Sequence, residues 1–300
     1  MSIRFLDTRH LGRTGIIAVT TLETEDGLVL FDTGPESTFD TVAAELAKSG
    51  HGLEEIRHVF LSHIHFDHAG AAWRFAELGA VIYVHPRGAP HLLDPAKLVA
   101  SAARIYGDKM ERLWGRFAPV PPDRLRVLED GEVVRVAPFE FRAIETPGHA
   151  NHHYVYHWDD NLFGGDVAGV RIGGGPPVPP LVPPELNVES WLESIEKIRA
   201  LNVANLFLPH FGPVKGSIPA HLDALADRIR RWCDWFRDQI RAGQTEHEMA
   251  SAFARKVANE LREAATEEEM IDYESADPSF MAVSAATRYW NKYHPEQVKR

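Results

Sequence analysis

The sequence contains a single cysteine, Cys233, among its 300 residues. One thiol excludes an intrachain disulfide and fits a reducing compartment. No apolar run approaches the roughly 20 residues that a membrane-spanning helix needs. The first residues also lack the charged and then apolar order of a secretory signal. We therefore expect a cytoplasmic protein that does not interact with membranes.

Clustered positive charge is also scarce. The chain has 32 Lys and Arg against 43 Asp and Glu, a formal net charge of −11. Binding to a nucleic-acid backbone needs grouped basic side chains that displace counterions. The densest basic stretch, residues 227–231, has the pattern of a solvated helix face. We expect a small-molecule substrate and no nucleic-acid partner.

The most informative feature is the segment Ser62-His63-Ile64-His65-Phe66-Asp67-His68. It places three imidazoles and a carboxylate within six residues, directly after an apolar stretch. Zinc and related first-row metals prefer such nitrogen and carboxylate ligands. The chain has no G-x-S-x-G nucleophile motif. The segment therefore predicts a catalytic metal site.

Three later apolar runs each end in a turn followed by one further ligand-type residue. They end in Thr146-Pro147-Gly148-His149, in Gly164-Gly165-Asp166 and in Leu208-Pro209-His210. This pattern is typical of strands that deliver side chains to one edge of a sheet. His149, Asp166 and His210 are therefore candidate partners of the first motif.

These motifs resemble the metallo-β-lactamase-fold superfamily, in its glyoxalase II and lactonase-like branch. The resemblance covers residues 1–216, includes Phe31-Asp32-Thr33-Gly34 and Pro209-His210-Phe211-Gly212, and implies an αββα sandwich of the α/β class. It also implies two divalent metal ions, with Zn²⁺ expected and Fe or Mn as alternatives, and a supporting role for Asp32. The implied ligands are His63, His65 and His149 for the first ion, Asp67, His68 and His210 for the second, and Asp166 as the bridge. One departure is His149-Ala150-Asn151-His152-His153-Tyr154, where glyoxalase II-type members have small residues.

The function that this ligand set implies is hydrolysis by metal-activated water. Zinc lowers the pKa of bound water to roughly 7. Asp67 is expected to orient the hydroxide, which would attack an ester, thioester, lactone or lactam carbonyl. Tyr83 or Tyr106 is a candidate for the tyrosine that lactonases carry near the metals. Two alternatives stay open: a mononuclear iron oxidoreductase of the persulfide dioxygenase type, and a phosphodiesterase or nuclease.

The order of predicted elements suggests two regions. Residues 1–216 alternate strands and helices and form the predicted catalytic domain, with a helical insertion at about 88–123. The proline-rich segment 173–184 either borders the substrate cleft, with Arg171 as an anion contact, or is a surface linker. Residues 217–300 form a predicted helical region that either closes its own core or supports a homodimer.

Overall fold

The computed structural model describes residues 2–299, and its chain divides into two compact units that interleave along the sequence. The first unit contains residues 2–145 and 152–165, and the second contains residues 146–151 and 166–299. The short segment 146–151 therefore leaves the first unit and carries His149 into the second. The predicted domain boundary after residue 216 stays a prediction.

The first sheet is mixed and lies in the first unit. Its order is β1-β2-β3-β4-β5-β6, with antiparallel pairing up to β3 and parallel pairing from β3 to β6. The predicted hairpin that leads into Asp32 is the β2–β3 pair. The strands are β1 (Ile3–Asp7), β2 (Ala18–Thr24), β3 (Gly27–Phe31), β4 (Ile56–Phe60), β5 (Val81–Val84) and β6 (Leu125–Val127).

A second sheet faces the first through aromatic side chains. Within this unit it contains, in antiparallel order, β10 (Asn161–Phe163), β9 (Tyr154–Trp158), β8 (Phe139–Glu145) and β7 (Val133–Val136). Successive residues of a strand point to opposite faces, and Phe31 and Phe60 point towards this second sheet. The Phe31 ring lies 4.9 Å from that of Trp158, and the Phe60 ring lies 5.1 Å from that of Phe141. These contacts bury the facing surfaces of both sheets.

Helices cover the other face of the first sheet. Val42, Leu46 and Phe75 join Val59 and Ile82 of the strands in one buried cluster. The helices of this unit are α1 (Phe39–Lys48), α2 (Phe66–Ala69), α3 (Ala72–Glu77), α4 (Ala89–Leu93), α5 (Ala96–Tyr106) and α6 (Met110–Trp114). The predicted helix from Ala69 to Leu78 is thus shorter, because the Ala71 amide donates to the Gly34 carbonyl, 3.1 Å away.

The predicted helical insertion contains α4, α5 and α6. We expected one helical stretch from Pro95 to Trp114, but it is interrupted after Tyr106. Gly107 has a φ of 57° there, a left-handed conformation that a glycine adopts easily. The chain then forms α6, and the Ser37 hydroxyl donates to the Leu113 carbonyl at 2.8 Å. The insertion is thereby attached to the loop before α1.

The second unit is mainly helical. The predicted C-terminal helices are confirmed, and α8 carries Trp232 and Phe236 into a core with Phe253 of α9. The mixed α/β class with two sheets is therefore confirmed. None of the helices in residues 2–299 combines the length and apolar character of a membrane span. The elements are α7 (Val188–Ala200), β11 (Asn205–Leu208), β12 (Gly212–Pro213), α8 (Ile218–Arg241), α9 (Glu246–Leu261), α10 (Glu267–Ala276), α11 (Ser279–Tyr293) and α12 (Pro295–Val298).

Candidate metal centre

The first group of ligand-type side chains lies on the loop between β4 and α2. The backbone leaves β4 in register with its neighbours, because the Asp32 amide donates to the Phe60 carbonyl and the Leu61 amide to that of Tyr83. The loop then passes His63 and His65 before α2 begins at Phe66. Backbone hydrogen bonds thus connect the start of the loop to Asp32, which follows β3, and to Tyr83 of β5.

The structure brings the four predicted ligands of this loop together. His63 Nε2 lies 2.8 Å from His65 Nδ1, and His68 Nε2 lies 3.3 Å from Asp67 Oδ2. The ligand atoms of His63 and His68 lie within 4.8 Å of each other. His63 and His68 are fully buried, whereas His65 and Asp67 are partly exposed. The loop thus presents nitrogen and oxygen atoms to one small region that solvent can reach.

The Asp32 carboxylate forms hydrogen bonds with two residues of this loop, Ser62 and His68. It accepts from the Ser62 amide at 2.7 Å, from the Ser62 hydroxyl at 2.8 Å and from His68 Nδ1 at 2.8 Å. A carboxylate only accepts hydrogen bonds, so the proton of a neutral His68 lies on Nδ1 and Nε2 keeps its lone pair. Asp32 itself has a φ of 58°, which aspartate tolerates better than most residues.

The second unit brings the other three predicted ligands together. Asp166 Oδ2 lies 3.5 Å from His149 Nε2, and Asp166 Oδ1 lies 3.6 Å from His210 Nε2. All three side chains are almost fully buried. The two oxygens of one carboxylate therefore face two different histidines.

A glycine and a tryptophan determine where His149 lies. Gly148 has a φ of 138°, and a Cβ atom there would lie 2.3 Å from the Trp191 Cα atom. Only a glycine lets the backbone approach α7 this closely. The ring centroids of Trp191 and His149 lie 5.7 Å apart in a T-shaped arrangement. The Trp191 indole N–H donates to the Val167 carbonyl at 2.8 Å.

The His63–His65 pair, at 2.8 Å, is within hydrogen-bond distance, but three other spacings fit metal ligands better than hydrogen bonds. Two ligand atoms, each about 2.1 Å from one tetrahedral ion, lie roughly 3.4 Å apart. The pairs Asp67–His68, His149–Asp166 and Asp166–His210 are separated by 3.3, 3.5 and 3.6 Å. Hydrogen bonds of this kind are usually shorter than about 3.2 Å. Each group therefore contains side chains that could hold a metal ion.

The tyrosines and the arginine considered from the sequence have other contacts. The Tyr83 hydroxyl lies 3.0 Å from His58 Nδ1, and its ring stacks on Phe60. Arg171 donates from Nε to the Gly175 carbonyl and from Nη1 to that of Lys215. Arg171 thus links backbone segments, which favours a structural role over contact with an anion.

An aromatic group borders the metal loop. The Phe66 ring lies 4.8 Å from that of Phe117 and 6.3 Å from that of Trp114, while Tyr106 packs against Trp114 at 5.3 Å. His10, from the β1–β2 connection, stacks on Trp114 at 5.4 Å. The helical insertion therefore packs against Phe66, the residue that precedes Asp67. His10 gave no signal in the sequence, because nothing near it suggested a partner.

His152 and His153 also lie beside the loop. The Ile64 amide donates to His152 Nδ1 at 3.5 Å, and the His153 ring lies 5.2 Å from that of His63. Sequence reasoning underrated Ser62, whose hydroxyl contacts both Asp32 and His63. A serine before a histidine is too common to be noticed without the fold.

The comparisons with known proteins agree with this geometry. The sequence model of the metallo-β-lactamase superfamily matches residues 12–210. A metallo-β-lactamase fold-containing protein of Sulfurisphaera tokodaii is 28% identical over 170 residues, 55% of this chain. A probable metallo-hydrolase of Bacillus subtilis is 30% identical over 227 residues, which cover 67% of this chain and 82% of the relative.

A fungal relative and a solved structure extend the comparison. The atrochrysone carboxyl ACP thioesterase of Aspergillus fumigatus is 26% identical over 180 residues, 59% of this chain. The alignments span 64% of the archaeal protein and 33% of the fungal one, less than two thirds of either. A metallo-β-lactamase family protein of Thermus thermophilus superposes with a TM-score of 0.70 at 19% identity, over 97% of this chain and 93% of that one. The chain thus belongs to the metallo-β-lactamase superfamily.

Proposed function

We propose that the two groups of ligands together hold two divalent metal ions, of which Zn²⁺ fits the donors best. The proposed ligands are His63, His65 and His149 for one ion, Asp67, His68 and His210 for the other, and Asp166 between them. The observation that carries this proposal is the position of Asp166. Its two carboxylate oxygens lie 3.5 Å from His149 Nε2 and 3.6 Å from His210 Nε2. This arrangement allows each oxygen to bind a different ion, as a bridging carboxylate does.

The proposed activity is hydrolysis of an ester, thioester, lactone or lactam. When bound, such ions lower the pKa of coordinated water and polarise the bond under attack. Asp67 is half-buried beside His68, so its carboxylate can accept a hydrogen bond from the hydroxide at the edge of the site and orient that hydroxide. The similarity to the fungal thioesterase supports a carbonyl substrate, and the similarity to the bacterial probable metallo-hydrolase supports hydrolysis.

The aromatic group beside the loop supports a substrate with an apolar part. Trp114 and Phe117 pack against Phe66, the residue before Asp67, and none of the three carries a charge. Burying apolar substrate surface there is favourable by about 25 cal/mol per Å². We therefore propose acyl or aryl esters and thioesters ahead of small charged substrates.

The test combines metal analysis with a substrate panel. Protein purified without added metal is analysed for zinc, iron and manganese, then loaded and offered thioesters, acyl-homoserine lactones, β-lactams and phosphodiesters. We expect two metal equivalents and hydrolysis of a carbonyl substrate. The variant Asp166→Ala should abolish turnover and bind fewer than two equivalents, whereas the exposed control Asp123→Ala should behave as wild type.

Other outcomes would overturn the proposal. One iron per chain with oxygen consumption on persulfides would indicate the dioxygenase instead. Hydrolysis of phosphodiesters alone, with salt-sensitive oligonucleotide binding, would indicate a nuclease. Two metal equivalents in Asp166→Ala would refute the bridging role.

A further inference from the structure

His149 is oriented by a backbone carbonyl of the proline-rich loop, residues 170–184. Its Nδ1 atom lies 2.8 Å from the Pro180 carbonyl oxygen, and both are in the second unit. A carbonyl can only accept, so His149 carries its proton on Nδ1. The lone pair is then on Nε2, the atom that faces Asp166. The position of the Pro180 carbonyl thus decides which nitrogen can bind a metal.

The beginning of the same loop is attached to His210. The Arg171 amide donates to the His210 carbonyl at 2.5 Å, and the Phe211 amide donates back to the Arg171 carbonyl at 3.2 Å. Val170 and Val178 exchange two further backbone hydrogen bonds, each 2.8 Å long. One loop therefore contacts two proposed ligands through its backbone, His210 at its start and His149 near its end.

The C-terminal helices hold the middle of this loop. Tyr273 of α10 donates its hydroxyl to the Pro176 carbonyl at 2.7 Å, and Arg228 of α8 donates Nη1 to the Pro177 carbonyl. Glu269 accepts from the Gly174 amide at 3.1 Å, and Glu260 pairs with Arg228 at 3.3 Å. Tyr273 and Arg228 are 2% and 8% exposed. Such buried hydrogen bonds hold carbonyls in place.

The chemistry of the loop makes it suitable for this task. Proline fixes its own φ near −65° and restricts ψ of the residue before it, so the carbonyls of Pro176, Val178 and Pro179, each followed by a proline, have little freedom to turn. Burial raises the pKa of Tyr273 to about 12, so its hydroxyl remains a donor at neutral pH. The Arg228 guanidinium offers N–H donors and no acceptor.

We infer that Arg228 and Tyr273 are positioning residues of the metal centre, acting through the proline-rich loop on His149 and His210. The inference rests on the proposed function, because it needs His149 and His210 to be metal ligands. The C-terminal helices would then determine metal affinity as well as stability.

The test measures metal binding in the full-length chain. Co²⁺ is titrated into metal-free wild type, Tyr273→Phe and Arg228→Met, with a chromophoric chelator as competitor and the Co²⁺ absorption spectrum as a second readout. Removing one hydrogen bond of such a support should raise the Co²⁺ Kd about threefold to tenfold in Tyr273→Phe. Arg228→Met, which removes a charged donor, should raise it about tenfold or more. Both should change the Co²⁺ spectrum.

Two controls separate positioning from general destabilisation. Tyr293→Phe alters a tyrosine of α11 that is 40% exposed and should bind Co²⁺ as wild type does. Arg228→Lys keeps a cationic donor and should recover part of the affinity. Wild-type affinity and spectrum in both Tyr273→Phe and Arg228→Met would overturn the inference, even with lowered thermal stability. Failure of wild type itself to bind metal would instead overturn the proposed function.

Discussion

Replacing Asp32 with asparagine is expected to weaken metal binding at His68 while leaving the size of the side chain unchanged. Asp32 Oδ1 accepts from the Ser62 amide, which the asparagine oxygen can still do. Oδ2 accepts from the Ser62 hydroxyl and from His68 Nδ1, both at 2.8 Å. In Asp32→Asn an NH₂ group, which can only donate, takes the place of Oδ2. Asparagine also tolerates the left-handed φ of 58°.

The two partners of Oδ2 respond differently. The Ser62 hydroxyl can rotate and accept from the new amide, so its bond is kept. His68 Nδ1 can accept only if its proton moves to Nε2, the atom beside Asp67. That tautomer has no lone pair on Nε2 for a metal. The substitution therefore acts directly on His68, and on His63 only through the Ser62 hydroxyl.

The size of the effect on metal affinity follows from the loss of the lone pair on His68 Nε2. Changing the outer partner of a ligating histidine costs about 10- to 100-fold in metal affinity, which corresponds to about 1.4 to 2.7 kcal/mol. In the metal-free protein, His68 can change tautomer and keep a hydrogen bond to the neutral amide, so losing the charged acceptor should lower the free energy of unfolding by only about 1 kcal/mol.

The assay is a zinc titration of metal-free protein against a chromophoric chelator, with urea unfolding in parallel. We expect two equivalents in wild type, and in Asp32→Asn one retained site and one weakened site. Asp26→Asn makes the same chemical change in an exposed turn and serves as the control. Two equivalents of wild-type affinity in Asp32→Asn would refute the assigned tautomer of His68.

Three further perturbations test other parts of the structure. Gly148→Ala should lower the free energy of unfolding by about 1 to 3 kcal/mol and reduce metal content, because its Cβ would overlap Trp191. In the control Gly174→Ala, the new Cβ meets no atom within 4 Å, so this change should leave both quantities unaltered. Burial lowers the pKa of His221 to about 4, below its ordinary 6.5, so the stability that its neutral form contributes is complete above pH 6.5 and lost as pH falls towards 4. Urea unfolding should show wild type losing about 3 kcal/mol more than His221→Gln across that interval, and parallel curves would contradict this. Burial raises the pKa of the Cys233 thiol, so iodoacetamide should label it in urea but not in the folded protein, and rapid labelling of the folded chain would show that it is accessible.

The metal loop was predictable because its chemistry is local. His63, His65, Asp67 and His68 lie within six residues, and no fold is needed to see that they are ligand types. Their place after a strand was also visible, since β4 ends in the buried apolar residues Val59 and Phe60, just before the loop. Asp32, from which we expect a supporting role, lies within hydrogen-bond distance of His68 Nδ1. Periodicity likewise indicated α1 and α8.

Short helices and their breaks were not predictable in the same way. The separation of α2 from α3 depends on Ala71 finding a partner in Gly34, which is 37 positions earlier in the chain. The stacking of His10 on Trp114 joins the β1–β2 connection to the insertion. Neither contact leaves a pattern in neighbouring residues, because its energy depends on distant segments meeting.

Residue types and their spacing, by themselves, determined the family, the candidate ligands and the mixed α/β class. Only the tertiary structure decided which nitrogen of His149 can bind a metal, because that depends on the Pro180 carbonyl, 31 residues away. It also decided that Arg228 and Tyr273 hold the loop that carries this carbonyl. The sequence gives the type of each side chain directly, whereas the orientation and tautomer of a histidine depend on hydrogen-bond partners that only folding brings close.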